Sequence, residues 1–190
     1  MDDIRLVYPQ MKHKESIERY KNDMRNDAML HGTSGLEESS SIENWIKKCD
    51  DNRKGKNLPE GYVPATTFIA IRKSDRKVVG SIQIRHSLSE HLLKVGGHIG
   101  YMTAFDERRK GYCKEMLRQC LPYCKKLGIN KVLITCMKSN IGSAKTILAN
   151  GGVLENEIEY NGEPYQRYWI DLSGSLIGGY GSPFHLIIKL

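Results

Sequence analysis

With 190 residues, 39% of them hydrophobic and 27% charged, the chain has the size and composition of one soluble domain with a full core. No apolar run approaches the ~20 residues that span a bilayer, which excludes a membrane partner of the spanning kind. The formal charge of +7 suits an anionic partner, but the lysines and arginines are scattered without an aromatic stacking motif, which argues against nucleic acid.

Ile4 to Tyr8 alternates and ends at Pro9, a short first strand. From Gln10 to about Leu30, Met11, Ile17, Tyr20, Met24 and Ala28 recur at spacings of three and four, an amphipathic helix. His31 to Ser41 is small and polar, a loop, and Ser40 with Glu43 then offers a capping box for a second helix running to about Asp51 with Trp45 and Ile46 inward. After a turn-rich stretch, Thr66 to Arg72 and Lys77 to Arg85 predict a hairpin. Ser87 to Val95 predicts one or two helical turns, broken by Gly96-Gly97 before a strand from His98 to Ala104. A helix after Gly111 turns Met116, Leu117, Cys120, Leu121, Cys124 and Leu127 inward, carries Pro122 and stops at Gly128. Lys131 to Cys136 reads as a strand buried on both faces. A short helix, Asn140 to Asn150, and two strands, Val153 to Tyr160 and Pro164 to Leu172, close the domain, the strands joined by the turn Asn161-Gly162. This order predicts an α/β (α+β) domain over residues 1–172 with a mixed sheet and helices on both faces. Residues 173–190, glycine- and serine-rich and then apolar, form a tail that is an added strand or an interface segment. The opening MDDIRLVYPQ lacks signal-peptide features, and five cysteines without a framework spacing fit reduced thiols, so we expect the cytoplasm.

The most informative stretch is the turn before the Gly111 helix. Arg108, Arg109 and Lys110 stand beside a helix start whose first N–H groups have no intrahelical acceptor. The helix dipole adds about half a positive charge there, and a glycine lets the backbone approach an anion closely. Local physics therefore points to a pyrophosphate or another polyanion.

Arg108-Arg109-Lys110-Gly111-Tyr112-Cys113 resembles the Gln/Arg-x-x-Gly-x-Gly/Ala signature of the GNAT superfamily of N-acetyltransferases, with Cys113 where glycine or alanine is usual. Ser139 to Ser143, with Gly151-Gly152 closing the helix, resembles the family's Asn-x-x-Ser/Ala…Gly block, and LITCMKSN…NGG…LENE…RYWI is similar to a bacterial acetyltransferase branch of it. The resemblance implies that the fourth and fifth strands splay apart around acetyl-coenzyme A, without a metal. It implies that Tyr101, Met102 and Thr103 pair with the pantetheine amides, and that Arg109, Lys110, Gly111, Tyr112, Cys113 and Lys114 cradle the pyrophosphate. Arg108 would shape the turn, and Asn140 and Ser143 would reach the pantetheine arm. The reaction implied is direct attack of a primary amine on the thioester, the acceptor being a small molecule or a peptide, and the chain a monomer or homodimer. A non-catalytic acyl-coenzyme A sensor and a basic interaction protein are the competing readings.

An alkyl amine with a pKa of about 10 must lose a proton before attack. His98, at the start of the central strand, has the right unperturbed pKa for a base, with a surface or structural histidine at a strand start as the plainer reading. Glu37 and Glu38, in the loop before the second helix, are the alternatives, with solvated carboxylates as the plain reading. The family's frequent tyrosine acid falls on Ile147 and its occasional glutamate on Thr135, so Tyr160, Tyr165 or water would have to serve. Cys113 and Cys136 invite an acetyl-cysteine, but no base is spaced to activate either; Cys120 and Cys124, with Trp45 and Trp169, read as core.

Overall fold

The computed structural model describes residues 2–24 and 30–174. The expected last turns of the first helix (25–29) and most of the tail (175–190) lie outside the described residues. The elements follow in the expected order: β1 (Ile4–Val7), α1 (Lys14–Asp23), α2 (Ile42–Arg53), β2 (Ala65–Arg72), β3 (Val78–Arg85), α3 (Glu90–Lys94), β4 (Ile99–Thr103), α4 (Tyr112–Lys126), β5 (Lys131–Met137), α5 (Ile141–Leu148), β6 (Val153–Tyr160) and β7 (Glu163–Asp171).

One detail differs from expectation. The cap of α2 is Ser41, whose Oγ accepts from the Asn44 N–H at 3.1 Å, while Ser40 Oγ accepts from the Asn44 side chain at 2.9 Å. Ser41 has the extended backbone an N-cap needs, and the helix runs on to Arg53. As expected, Pro122 lies inside α4, and the helix stops where Gly128 takes a φ of 81°.

The strands form two antiparallel sheets, ordered β1-β2-β3-β4 and β5-β7-β6. β2, central in the first sheet, is buried along nearly its whole length because helices cover both faces. On one face α4 and α5 enclose Phe68, Val79, Ile82, Met116, Leu117, Val132 and Ile147. On the other, α1 and α2 enclose Ile17, Tyr20, Trp45, Ile69 and Met102. Cys120 and Cys124 belong to the first core and Cys49 to the second. The expected α/β architecture is thus built from two half-sheets, whose inner strands β4 and β5 are not joined by a ladder among the described residues.

Candidate active site

The site is the gap between β4 and β5, and His98 sets where it begins. The His98 N–H donates to Leu133 O at 2.8 Å, and the Leu133 N–H donates to His98 Nδ1 at 3.0 Å. The imidazole thus stands in for the backbone carbonyl, because His98 O already accepts from the Arg85 N–H at 2.7 Å. Gly97 makes this approach possible: at φ 61°, a Cβ there would lie 2.4 Å from Leu133 O. The Gly96 N–H donates to Thr135 Oγ1 at 2.8 Å, and Arg85 holds the Gly96 and Gly97 carbonyls at 3.2 and 3.1 Å.

Past this staple the two strands diverge. The Arg85–His98 and Ala104–Val79 bonds put His98, Gly100, Met102 and Ala104 in hydrogen-bonded register with β3. By alternation the N–H and C=O groups of Ile99, Tyr101 and Thr103 face the gap. On β5 the same reasoning, from the His98–Leu133 bonds, turns Thr135 and Met137 toward β4. Two open backbone edges therefore flank a cavity of about 970 Å³. Of the three residues expected to pair with an amide arm, Tyr101 and Thr103 offer backbone groups. Met102 also lines the cavity, but its backbone bonds to β3 and its side chain packs in the α1/α2 core.

At the other end of the gap the chain makes a short 3₁₀ turn, Phe105–Glu107, and enters α4 through Arg109 (φ 61°) and Gly111 (φ 85°). The first internal bond of α4 is made by the Glu115 N–H to Gly111 O at 3.1 Å, so the N–H groups of Tyr112, Cys113 and Lys114 precede it and form the exposed positive end of the helix. Arg108, Arg109, Gly111, Tyr112, Cys113 and Lys114 line the cavity here. Lys110 does not. Its ammonium donates to Glu107 at 2.8 Å and lines a smaller recess with Asp2, Arg72 and Tyr112.

Glu107 is a site residue that sequence reading missed. It is 3% exposed and accepts from Arg72 at 2.9 Å, Lys77 at 3.1 Å and Lys110 at 2.8 Å. Burial pushes its carboxyl up, but the three hydrogen-bonded cations outweigh this and hold it at about 2. The carboxylate ties the 3₁₀ turn to β2 and to the β2–β3 hairpin, fixing the loop that presents the α4 N-terminus. Within a run as charged as Asp106 to Lys110, no sequence signal separates a buried carboxylate from a solvated one.

The wall facing β4 comes from α5. Asn140 caps this helix, its Oδ1 accepting from the Ser143 N–H at 3.0 Å. Ser143 Oγ lies 2.8 Å from the Tyr101 hydroxyl, which reaches across from β4. Thr103 Oγ1 and Cys113 Sγ are also 2.8 Å apart. Burial raises the Cys113 and Cys136 thiols above their ordinary value, which opposes a nucleophilic role for either. Ile147 is 0% exposed and packs in the core.

None of the candidate bases, His98, Glu37 and Glu38, lines the cavity. His98 is 6% exposed, and burial, reinforced by the charge of Arg85, pushes its pKa down to about 4. Glu37 accepts from the Thr33 hydroxyl at 2.7 Å, on a loop whose Gly32 lies so close to β4 that a Cβ would come 2.3 Å from Gly100 O. Of the tyrosines expected to donate, Tyr165 lines the cavity, whereas Tyr160 packs edge-on against Tyr165 and His91.

The family model described as an acetyltransferase (GNAT) domain matches residues 2–153. Among solved structures, the chain is similar to a ribosomal L7/L12 alpha-N-protein acetyltransferase, RimL, in complex with coenzyme A, with 17% identity over 90% of this chain and 94% of that one and a TM-score of 0.64. It is similar to the microcin C7 self-immunity acetyltransferase MccE in complex with acetyl-CoA and AMP, with 21% identity over 90% and 93% and a TM-score of 0.63. A spermidine N-acetyltransferase SpeG chimera involving Vibrio cholerae shares 13% identity over 90% and 96%, with a TM-score of 0.61. At these identities the likeness is one of fold. No curated protein matches the sequence.

Proposed function

The chain belongs to the GNAT acetyltransferase family and is an acyltransferase, and from that premise we propose that it transfers the acetyl group of acetyl-coenzyme A to a primary amine within a ternary complex. The observation that carries this reading is the gap itself: two strand edges, unpaired among the described residues, leading to a helix N-terminus at a left-handed glycine. That arrangement fits the cofactor part by part. The backbone of Tyr101 and Thr103 would pair with the amides of the arm, as a strand does. The N–H groups of Tyr112, Cys113 and Lys114 would hold the pyrophosphate, with Arg108 and Arg109 adding charge. Bound there, the thioester supplies an activated acetyl carbon. The chain's task is then to hold an amine against it, because positioning accounts for much of such an acceleration.

On the donor side, Ser143 supplies a hydroxyl for the departing sulfur, since Ile147 offers none. For the amine, Glu37 is a better base than His98, whose Nδ1 is occupied by the Leu133 N–H. The acceptor we favour is a neutral or anionic amine, such as a peptide N-terminus, over a polycation. With Arg108, Arg109 and Lys114 given to the pyrophosphate, the described cavity lining still carries Arg85 and Lys145 against one carboxylate, Glu107, which three cations already neutralise.

Ile147 favours the second reading, a sensor that binds acyl-coenzyme A without turning it over. Thiol release from acetyl-coenzyme A with a panel of amines, amino acids, polyamines and peptides separates the two, and calorimetry reads binding independently. Gly111→Glu places bulk and negative charge in the cradle and should abolish acetyl-coenzyme A binding in either case. Unchanged affinity in that variant would refute the cofactor assignment.

A further inference from the structure

Two hydroxyl groups meet across the cavity. Tyr101 projects from β4 toward the face covered by α4 and α5, and its hydroxyl ends 2.8 Å from Ser143 Oγ and 3.4 Å from Ser143 O, in the first turn of α5. Both residues line the cavity together with Thr103, Cys113 and Cys136. The position at which the family resemblance puts a tyrosine acid is Ile147, one turn further along α5 and fully buried. A phenol is therefore present at this wall, but it arrives from the opposite strand.

We propose that Tyr101 is the positioning residue behind Ser143, holding the Ser143 hydroxyl as a hydrogen-bond donor to the departing sulfur. This inference rests on the acetyl-coenzyme A reading above. A hydroxyl can donate once and accept twice, so a serine beside a nascent thiolate must be told which way to point. Either hydroxyl can donate across the 2.8 Å contact; in the proposed arrangement Tyr101 donates to Ser143 Oγ, leaving the serine proton for the cavity. As the amine nitrogen bonds to the acetyl carbon, the carbon–sulfur bond breaks and its electron pair settles on sulfur. Ser143 donates to that sulfur while Tyr101 donates to Ser143. The surplus proton of the attacking amine passes to the base, and sulfur takes a proton from water on release. Burial holds the Tyr101 hydroxyl well above its ordinary pKa, so it remains a donor throughout.

The test needs no acceptor. Coenzyme A binding is measured from pH 7 to 9.5, alongside desulfo-coenzyme A as a thiol-free control, with the bound thiolate read by its ultraviolet absorbance. The control curve removes pH effects that come from the protein itself, whose Cys113, Cys136, Tyr165 and Lys145 face the cavity. A hydrogen bond from Ser143 lowers the pKa of the bound thiol, so wild-type affinity for coenzyme A should rise with pH relative to the control. Tyr101→Phe should cut that rise by about tenfold, equivalent to about one unit of thiol pKa, measured against desulfo-coenzyme A in the same variant, so that any pH-independent loss common to both ligands cancels. Ser143→Ala reads the same pair from the other side and should shift it at least as far, with the double variant going no further than Ser143→Ala alone. The proposal is overturned if the wild-type rise is absent, if Tyr101→Phe retains it, or if the only effect of Tyr101→Phe is to weaken both ligands by one factor. A wild-type protein that binds neither ligand overturns the cofactor reading itself.

Discussion

At the scale of single residues, His98 shows how a plausible base becomes a structural part. Its imidazole accepts a backbone N–H, which it can do only while neutral, and burial away from water enforces that state. Its folded pKa of about 4 lies below the ordinary 6.5. Between those values the unfolded chain binds more protons than the folded one, so stability rises with pH. The contribution is complete above about pH 6.5 and is lost as pH falls through 4, on the order of 3 kcal/mol in all. His98→Gln keeps an acceptor for the Leu133 N–H but cannot titrate. The urea midpoint of wild type minus that of His98→Gln should therefore fall between pH 6.5 and 4.5, while His98→Ala should be destabilised at every pH. A flat difference would return His98 to the list of candidate bases. Glu37 makes the opposite prediction: Glu37→Gln should lower kcat at neutral pH by about 10²-fold or more with acetyl-coenzyme A affinity unchanged. Equal kcat values would leave proton removal to water.

Secondary-structure elements were legible wherever a local signal fixed them. The helix from Tyr112 was announced by Gly111 and the apolar spacing behind it, and the turn Asn161-Gly162 announced the β6–β7 hairpin. The junction proposed to hold the pyrophosphate was legible in form for the same reason, being one loop and one helix start. Where two neighbours offered the same chemistry, sequence could not choose. Ser40 and Ser41 are both capable caps, and backbone geometry selects Ser41. Ser41→Ala should cost about 1 kcal/mol, whereas Ser40→Ala, which loses only an exposed contact with the Asn44 side chain, should stay within about 0.5 kcal/mol. Chemical denaturation of the two variants checks this, and equal losses would contradict the assigned cap.

At the scale of the molecule, what could not be read was which strand edges stay unpaired. Pairing is a long-range property, and the seam depends on a side chain, His98, acting in place of a carbonyl. The other end of the gap hides its anchor as well, because Glu107 is indistinguishable in sequence from its solvated neighbour Asp106. The gap is thus held by two buried ionisable groups of opposite habit, a histidine kept neutral at the apex and a glutamate kept charged beneath the cradle. Their acid responses occupy successive windows. Glu107 has a folded pKa of about 2 against an ordinary 4.5, so its stabilisation is present above about pH 4.5 and lost as pH falls toward 2. Removing the charge leaves Arg72, Lys77 and Lys110 facing one another, at a cost of about 2–4 kcal/mol once the half-exposed Lys110 is discounted for solvent screening. Glu107→Gln should therefore be destabilised by a constant amount from pH 8 to 5, and the gap from wild type should close between pH 4.5 and 2. Because the same carboxylate fixes the loop that leads into α4, the variant should also bind coenzyme A more weakly while remaining folded at neutral pH. Full affinity in a folded Glu107→Gln protein would mean that the cradle holds its shape without the carboxylate beneath it.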